Sequence, residues 1–290
     1  MRTLITKRAA VLAMMVMPVF AGNDNYYYLA LGDSIAFGYD PTLVVPNEKL
    51  PKPDKFIGYP EVVAKVDKSL QEKEEVNAAC PGQTSKSFLI GGMDVGCEGF
   101  KSSIGLHTMY SGTQDTFATS ELIRNKKINL VTLGIGGNDL TLLQQDCGDP
   151  TSSGFGKCVE DGLPLVLGQY GANLGQILFN IRYLANYQGT LVIVNNYVPN
   201  ADPRFIQAVA ALNQVMVEVG TDPRGQFQVK FADVFTAFQL ASSHSNGDPC
   251  KAGLVISLGD GSCDVHPSKR GREVIAAAVE IAINAKGNGK

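Results

Sequence analysis

The chain of 290 residues carries 25 basic and 28 acidic side chains, a formal net charge of −3, and 44% of its residues are hydrophobic. A mildly acidic protein without a basic run lacks the electrostatic footprint of a nucleic-acid binder. The length suits one large domain or two small ones with an ample core.

The first elements belong to export rather than to the fold. Arg2, Lys7 and Arg8 form a basic start, Ala9 to Phe20 is an apolar run, and Val19-Phe20-Ala21 matches the pattern that a signal peptidase reads. Residues 1–21 therefore read as a secretory signal peptide cleaved after Ala21. An uncleaved anchor is the alternative, but a span needs roughly 20 apolar residues and this run is shorter. Cleavage removes three basic residues and no acidic one, leaving 22 basic against 28 acidic. Residues 22–290 read as one exported domain, periplasmic or extracellular, without stable membrane insertion and expected to act as a monomer.

Further along the chain, short apolar runs alternate with helical patterns. Tyr26–Leu31 is strand-like and runs into Gly32-Asp33-Ser34-Ile35. The stretch Asp40–Lys55, with four prolines, reads as a long excursion. Val76–Ala79 is a weaker strand ahead of Cys80-Pro81-Gly82-Gln83-Thr84, and Leu130–Ile135 a clear one ahead of Gly136-Gly137-Asn138-Asp139. Asp146–Pro164 reads as a second excursion. Long loops of this kind wall a substrate site or serve as ordered decoration. Leu174, Ile177, Leu178, Ile181 and Leu184 keep helical spacing, Leu191–Val194 is a strand before Asn195-Asn196, and Phe205, Val209, Leu212, Met216 and Val219 are helical again. Phe227–Phe231 is a second weak strand. A last helix carries Val274, Ile275, Ala278, Val279 and Ala282 on one side, with Ser268 placed to cap it. Buried strands alternating with helices predict a three-layer α/β/α fold around a mostly parallel sheet. Ligands in such folds collect at the carboxyl ends of the strands, where the glycine-rich turns lie.

Six cysteines fall as three local pairs, so the simplest scheme joins Cys80 to Cys97, Cys147 to Cys158 and Cys250 to Cys263. Zinc is the competing reading, but the chain has no Cys-x-x-Cys and only three histidines.

A hydroxyl nucleophile needs a base, a group that orients the base, and donors for the developing oxyanion. Ser34 directly follows a strand, although Gly-Asp-Ser alone is an ordinary turn. Gly82 lets a backbone N–H approach a ligand, Asn138 offers a side-chain amide, and His266 in Asp264-Val265-His266-Pro267 precedes the last helix. His107 and His244 have no comparable setting and read as surface or loop residues.

Four blocks in this order resemble the SGNH hydrolases, the GDSL lipase/esterase family: Gly-Asp-Ser-Ile at 32–35, Asn77 to Thr84, Gly-Gly-Asn-Asp at 136–139 and Asp-Val-His-Pro at 264–267. The leader and three local cysteine pairs are similar to those of its extracellular members. The resemblance implies a flavodoxin-like domain with a five-stranded sheet that hydrolyses carboxylic esters. Ser34 would be the nucleophile, His266 the general base, and the Ser34 N–H, the Gly82 N–H and Asn138 the oxyanion hole. It implies a small-molecule or lipid ester as substrate and requires no metal or organic cofactor. The usual family pattern puts the acid three residues before the histidine, where this chain has Cys263. Asp264, two residues before, is then the group expected to orient His266, with a backbone carbonyl as the alternative. Asp33 and Asp139 are expected to organise their turns. Lysophospholipase, carbohydrate deacetylase and acyltransferase activities could use the same residues, and a non-catalytic binding module is the reading from another class.

Overall fold

A computed structural model describes residues 27–68, 70, 75–92, 96–221 and 227–285. The expected leader at 1–21 lies outside the described residues, as does Tyr26.

Strand β1 (Tyr28–Gly32) leads into the single-turn helix α1 (Ser34–Phe37), and α2 (Tyr59–Val66) precedes β2 (Glu75–Asn77). Helices α3 (Ser85–Ile90), α4 (Cys97–Ser103) and α5 (Gln114–Arg124) lead to β3 (Leu130–Gly134). After α6 (Gly137–Cys147) and α7 (Phe155–Phe179) come β4 (Thr190–Val194), α8 (Pro203–Gly220), β5 (Val229–Ala232) and α9 (Val234–Ala241). A hairpin of β6 (Val255–Ser257) and β7 (Cys263–Pro267) then precedes α10 (Lys269–Asn284).

The first five strands form a parallel sheet in the order β2-β1-β3-β4-β5. Period-two alternation splits each central strand between two cores. Leu29, Leu31, Val131, Leu133, Leu191 and Ile193 face one layer, packed by Leu122 of α5, Leu174 and Ile177 of α7 and Leu212 and Met216 of α8. Tyr28, Ala30, Leu130, Val192 and Val194 face the other, packed by Val63 of α2, Phe238 of α9 and Ile275 and Val279 of α10. The three-layer α/β/α architecture with a five-stranded parallel sheet is the expected one. Both weaker strands are present, each shifted by one or two residues.

Two departures from expectation have physical causes. Of the excursion Asp146–Pro164, only 148–154 is loop, because α7 begins at Phe155 and continues through Pro164. Proline removes the hydrogen bond to residue i−4, but Pro164 and Glu160 both lie on the exposed side, where water can meet the orphaned carbonyl. Gly162 packs so closely on α6 that a Cβ there would lie 2.5 Å from Leu143 Cδ1. The second departure is the antiparallel β6–β7 hairpin around the His266 segment, which periodicity did not reveal. The excursion Asp40–Lys55 is a loop as expected, stiffened by two short 3-10 turns at Pro41–Leu43 and Pro53–Lys55.

The three expected disulfides are formed, Cys80–Cys97, Cys147–Cys158 and Cys250–Cys263. No described helix is both long and apolar enough to cross a membrane.

Candidate active site

Ser34 stands at the first position of α1, directly beyond the carboxyl end of β1. The turn that places it is tight. Gly32 has φ +142°, and a Cβ there would lie 2.2 Å from the carbonyl oxygen of Gly134 on β3, so only glycine fits. Gln114 grips the same residue from the other side: its Oε1 accepts from the Gly32 N–H at 2.6 Å and its Nε2 donates to the Gly32 carbonyl at 2.9 Å. Asp33 then caps α1 by accepting from the Ile35 N–H at 2.9 Å.

A one-turn helix leaves its last carbonyls without helical partners, and here two distant side chains supply donors. Asn77 Nδ2 donates to the Ala36 carbonyl at 2.8 Å, and His107 Nε2 lies 3.0 Å from the Phe37 carbonyl. Glu61 organises both: its Oε1 accepts from Asn77 at 2.9 Å and lies 3.8 Å from His107 Nε2, while its Oε2 accepts from the Gly58 N–H at 2.7 Å. Burial, with Glu61 beside it, pushes the Glu75 carboxyl up. His107 lies in a loop, one of the two settings expected of it, but it is not on the open surface. Its side chain is 15% exposed and its ring packs 4.5 Å from that of Phe37.

His266 reaches Ser34 from β7, its Nε2 lying 2.8 Å from Ser34 Oγ. Behind it, Asp264 Oδ1 bonds the His266 Nδ1 and also accepts from the His266 backbone N–H at 2.9 Å. Of the two groups considered for orienting His266, the side-chain carboxylate of Asp264 is the one in contact. Burial alone would raise the Asp264 carboxyl, but the hydrogen bonds and charge of His266 outweigh it and hold the group below its ordinary value. Tyr197 Oη donates to the Val265 carbonyl at 2.6 Å, holding the strand beside His266, and the Tyr39 ring meets the imidazole edge-on at 4.9 Å. Next to Ser34, burial pushes the Asp33 carboxyl up to about 6, against the Ile35 hydrogen bond and the His266 charge, which act downward.

Gly82 and Asn138 complete the ring around Ser34. Gly82 adopts φ +79° in the turn after β2. Asn138 sits in the first turn of α6, where its Nδ2 donates to the Gln83 carbonyl at 3.0 Å, tying the two blocks together. Asp139 accepts from both the Ser85 N–H at 2.9 Å and the Ser85 hydroxyl at 2.5 Å, so these bonds tie α6 to the start of α3, whereas a contact within its own turn is the one expected. Ser34, Gly82, Asn138 and His266 all line one cavity of about 530 Å³ at the carboxyl end of the sheet. The cysteines stay outside this ring, paired as structural ties. Among the described residues no group of three His, Cys, Asp or Glu side chains is arranged to hold a metal ion.

Gln114, Glu61 and His107 belong to no motif, so their roles escaped sequence reading; Asn77 opens the second block, but nothing in the sequence ties it to the Ala36 carbonyl. Glu61 alone left a signal, since an acidic residue three positions after a helix start is the mark of a capping contact.

Comparison with known proteins bears on this geometry. The profile of the GDSL-like lipase/acylhydrolase family matches residues 30–274. The chain belongs to that family. Hydrolases of known structure share its fold at low identity. The lipase Lip_vut3 from a goat rumen metagenome superposes with a TM-score of 0.55 at 17% identity, covering 89% of this chain and 97% of that one. A catalytic mutant of Axe2, an acetylxylan esterase from Geobacillus stearothermophilus, superposes with a TM-score of 0.51 at 15% identity, covering 89% and 94%. No curated protein matches the chain in sequence. Family membership makes this GDSL hydrolase an ester hydrolase in the general sense.

Proposed function

We propose that this GDSL hydrolase cleaves carboxylic esters through an acyl-Ser34 intermediate, outside the cytoplasm. The observation that carries the reading is the unbroken hydrogen-bonded line from Ser34 Oγ through both ring nitrogens of His266 to Asp264. Such a line lets a neutral imidazole take the serine proton and lets the carboxylate hold the resulting imidazolium.

In this mechanism Ser34 Oγ attacks the ester carbonyl carbon while its proton passes to His266 Nε2. The carbonyl oxygen becomes an oxyanion held by the N–H groups of Ser34 and Gly82 and by the Asn138 amide, whose second N–H is not needed by Gln83. The intermediate collapses as the C–O bond to the alcohol breaks and Nε2 returns the proton to the departing oxygen. Water then attacks the acyl carbon, again giving a proton to His266, and the acid leaves with Ser34 restored. The lipase and esterase names of the two fold relatives agree with an ester substrate. Three disulfides favour an oxidising compartment, which in turn favours residues 1–21 as a leader and 22–290 as the mature domain.

Purified residues 22–290 should hydrolyse short p-nitrophenyl esters, and Ser34→Ala should lower kcat by about 10⁴-fold or more with an unchanged circular dichroism spectrum. Undiminished turnover in that variant would exclude Ser34 as nucleophile.

A further inference from the structure

We infer that the cleft between α6 and α8 binds the acyl chain of the substrate, and that the preferred substrate is a neutral ester of a medium-length aliphatic acid. This rests on Ser34 being the nucleophile. From there, three observations point the same way.

The first is the shape and composition of the cavity. It extends from Ser34 past Asn138 between two helix faces, each presenting an i, i+4 pair: Leu140 and Gln144 on α6, Phe205 and Val209 on α8. Leu140 and Val209 are buried and belong to the core layer on one side of the sheet. The cavity as a whole, including the part lined by Tyr39, Phe100, Val234, Val265 and Ile275, measures about 530 Å³, far more than an acetyl group requires.

The second is charge. Among the described residues that line the cavity, Asp33 and His266 are the only titratable groups apart from tyrosines, and no Lys, Arg or Glu is present. A substrate carrying a phosphate or carboxylate in the cleft would lose its hydration there with no cation to meet it. The polar side chains that α6 and the β4–α8 segment turn to the cavity, Asn138, Thr141, Gln144, Asn195, Asn196 and Asn200, are uncharged.

The third is direction. His266 must hand its proton to the leaving alcohol, so the alcohol departs on the His266 side. The segments around β6 and β7 pack through Leu254, Val255 and Cys263 onto the core layer opposite to that of Leu140 and Val209. With the oxyanion turned toward Gly82 and Asn138, the substituent left to enter the α6–α8 cleft is the acyl group. Val265, half exposed on the rim beside His266, then lies along the route of the alcohol.

Each methylene taken from water into such a cleft strengthens transition-state binding about fourfold. The test compares kcat/KM for p-nitrophenyl octanoate and acetate in wild type, Phe205→Ala and Val209→Phe, together with octyl against ethyl acetate. Wild type should favour octanoate at least about tenfold. Removing the Phe205 wall, or filling the cleft from Val209, should each cut that ratio at least about fivefold while the octyl-to-ethyl ratio holds. Two variants are used because phenylalanine at buried Val209 could disturb the core, whereas Phe205 is partly exposed. Preference for acetate, or a ratio unmoved in both variants, would overturn the assignment. A shift confined to the alcohol series would give the cleft to the leaving group instead. Ser34→Ala run alongside separates the two readings: activity that survives it refutes the nucleophile, while a Ser34-dependent preference for acetate refutes the cleft alone.

Discussion

At the scale of single residues, Asp33 shows a site held at a cost in stability. Its carboxyl is buried next to Ser34, 3% exposed, and burial raises its pKa from 3.8 to about 6. The folded protein therefore binds this proton more tightly than the unfolded chain does. Below about pH 4 the group is protonated in both states and costs nothing. Between about 4 and 6 the penalty grows, and above 6 it is constant, on the order of 3 kcal/mol. Asp33→Asn keeps an oxygen to cap the Ile35 N–H but removes the buried charge. Its melting temperature should exceed that of wild type at pH 8, and the two should converge near pH 4. Turnover should move the other way, falling by about tenfold, because the charge that favours His266 in its protonated form is gone. Identical melting curves at pH 8 would show that Asp33 is not ionised in the fold. Sequence alone could not expose this behaviour, since Gly-Asp-Ser reads as a turn until burial is known. His107 escaped for a related reason. Its partner is a backbone carbonyl of α1, seventy positions away, and no pattern of residue types encodes that contact.

At the scale of elements, the β6–β7 hairpin is the piece least legible in the sequence and the one on which His266 depends. Its strands are short, its pairing is interrupted by a register shift, and five residues including Gly259 and Gly261 separate them. Alternation over so few positions gives no period to read. The Cys250–Cys263 bridge supplies the constraint that pairing alone does not, fastening the first residue of β7 to the segment after α9. Bridges closing 13 and 11 residues should each stabilise the fold by about 2–4 kcal/mol. Their effects on activity should differ. Replacing Cys250 and Cys263 together by alanine should lower urea-melt stability and also reduce kcat at least about tenfold at a temperature where the protein stays folded, because His266 loses its anchor. Replacing Cys147 and Cys158, which join the end of α6 to α7 away from the cavity, should cost similar stability and leave kcat within about twofold. Equal turnover in the two double variants would show that the bridge is not what holds the histidine.

At the scale of the whole molecule, most of the fold was legible because the central strands are buried on both faces. A run such as Leu191–Val194 must be apolar throughout when helices cover both sides, and the turn residues after each strand are where the chemistry collects. The edge strands were legible only weakly: β2 contains Glu75 and Asn77, and β5 contains Lys230, since an edge strand need not be apolar at every position. What joins the layers is the sheet itself. Leu130 on β3 faces one core and Ile193 on the adjoining β4 faces the other, both almost fully buried. If residues 22–290 fold as one domain, the two cores cannot melt apart, because each strand serves both. Leu130→Ala and Ile193→Ala should each destabilise the protein by about 2–5 kcal/mol through the cavity they leave. In each variant calorimetry should show a single transition displaced as a whole, with the calorimetric and van't Hoff enthalpies equal. A transition split in either variant, with one half left at the wild-type temperature, would mean that the layers flanking the sheet fold as separate units.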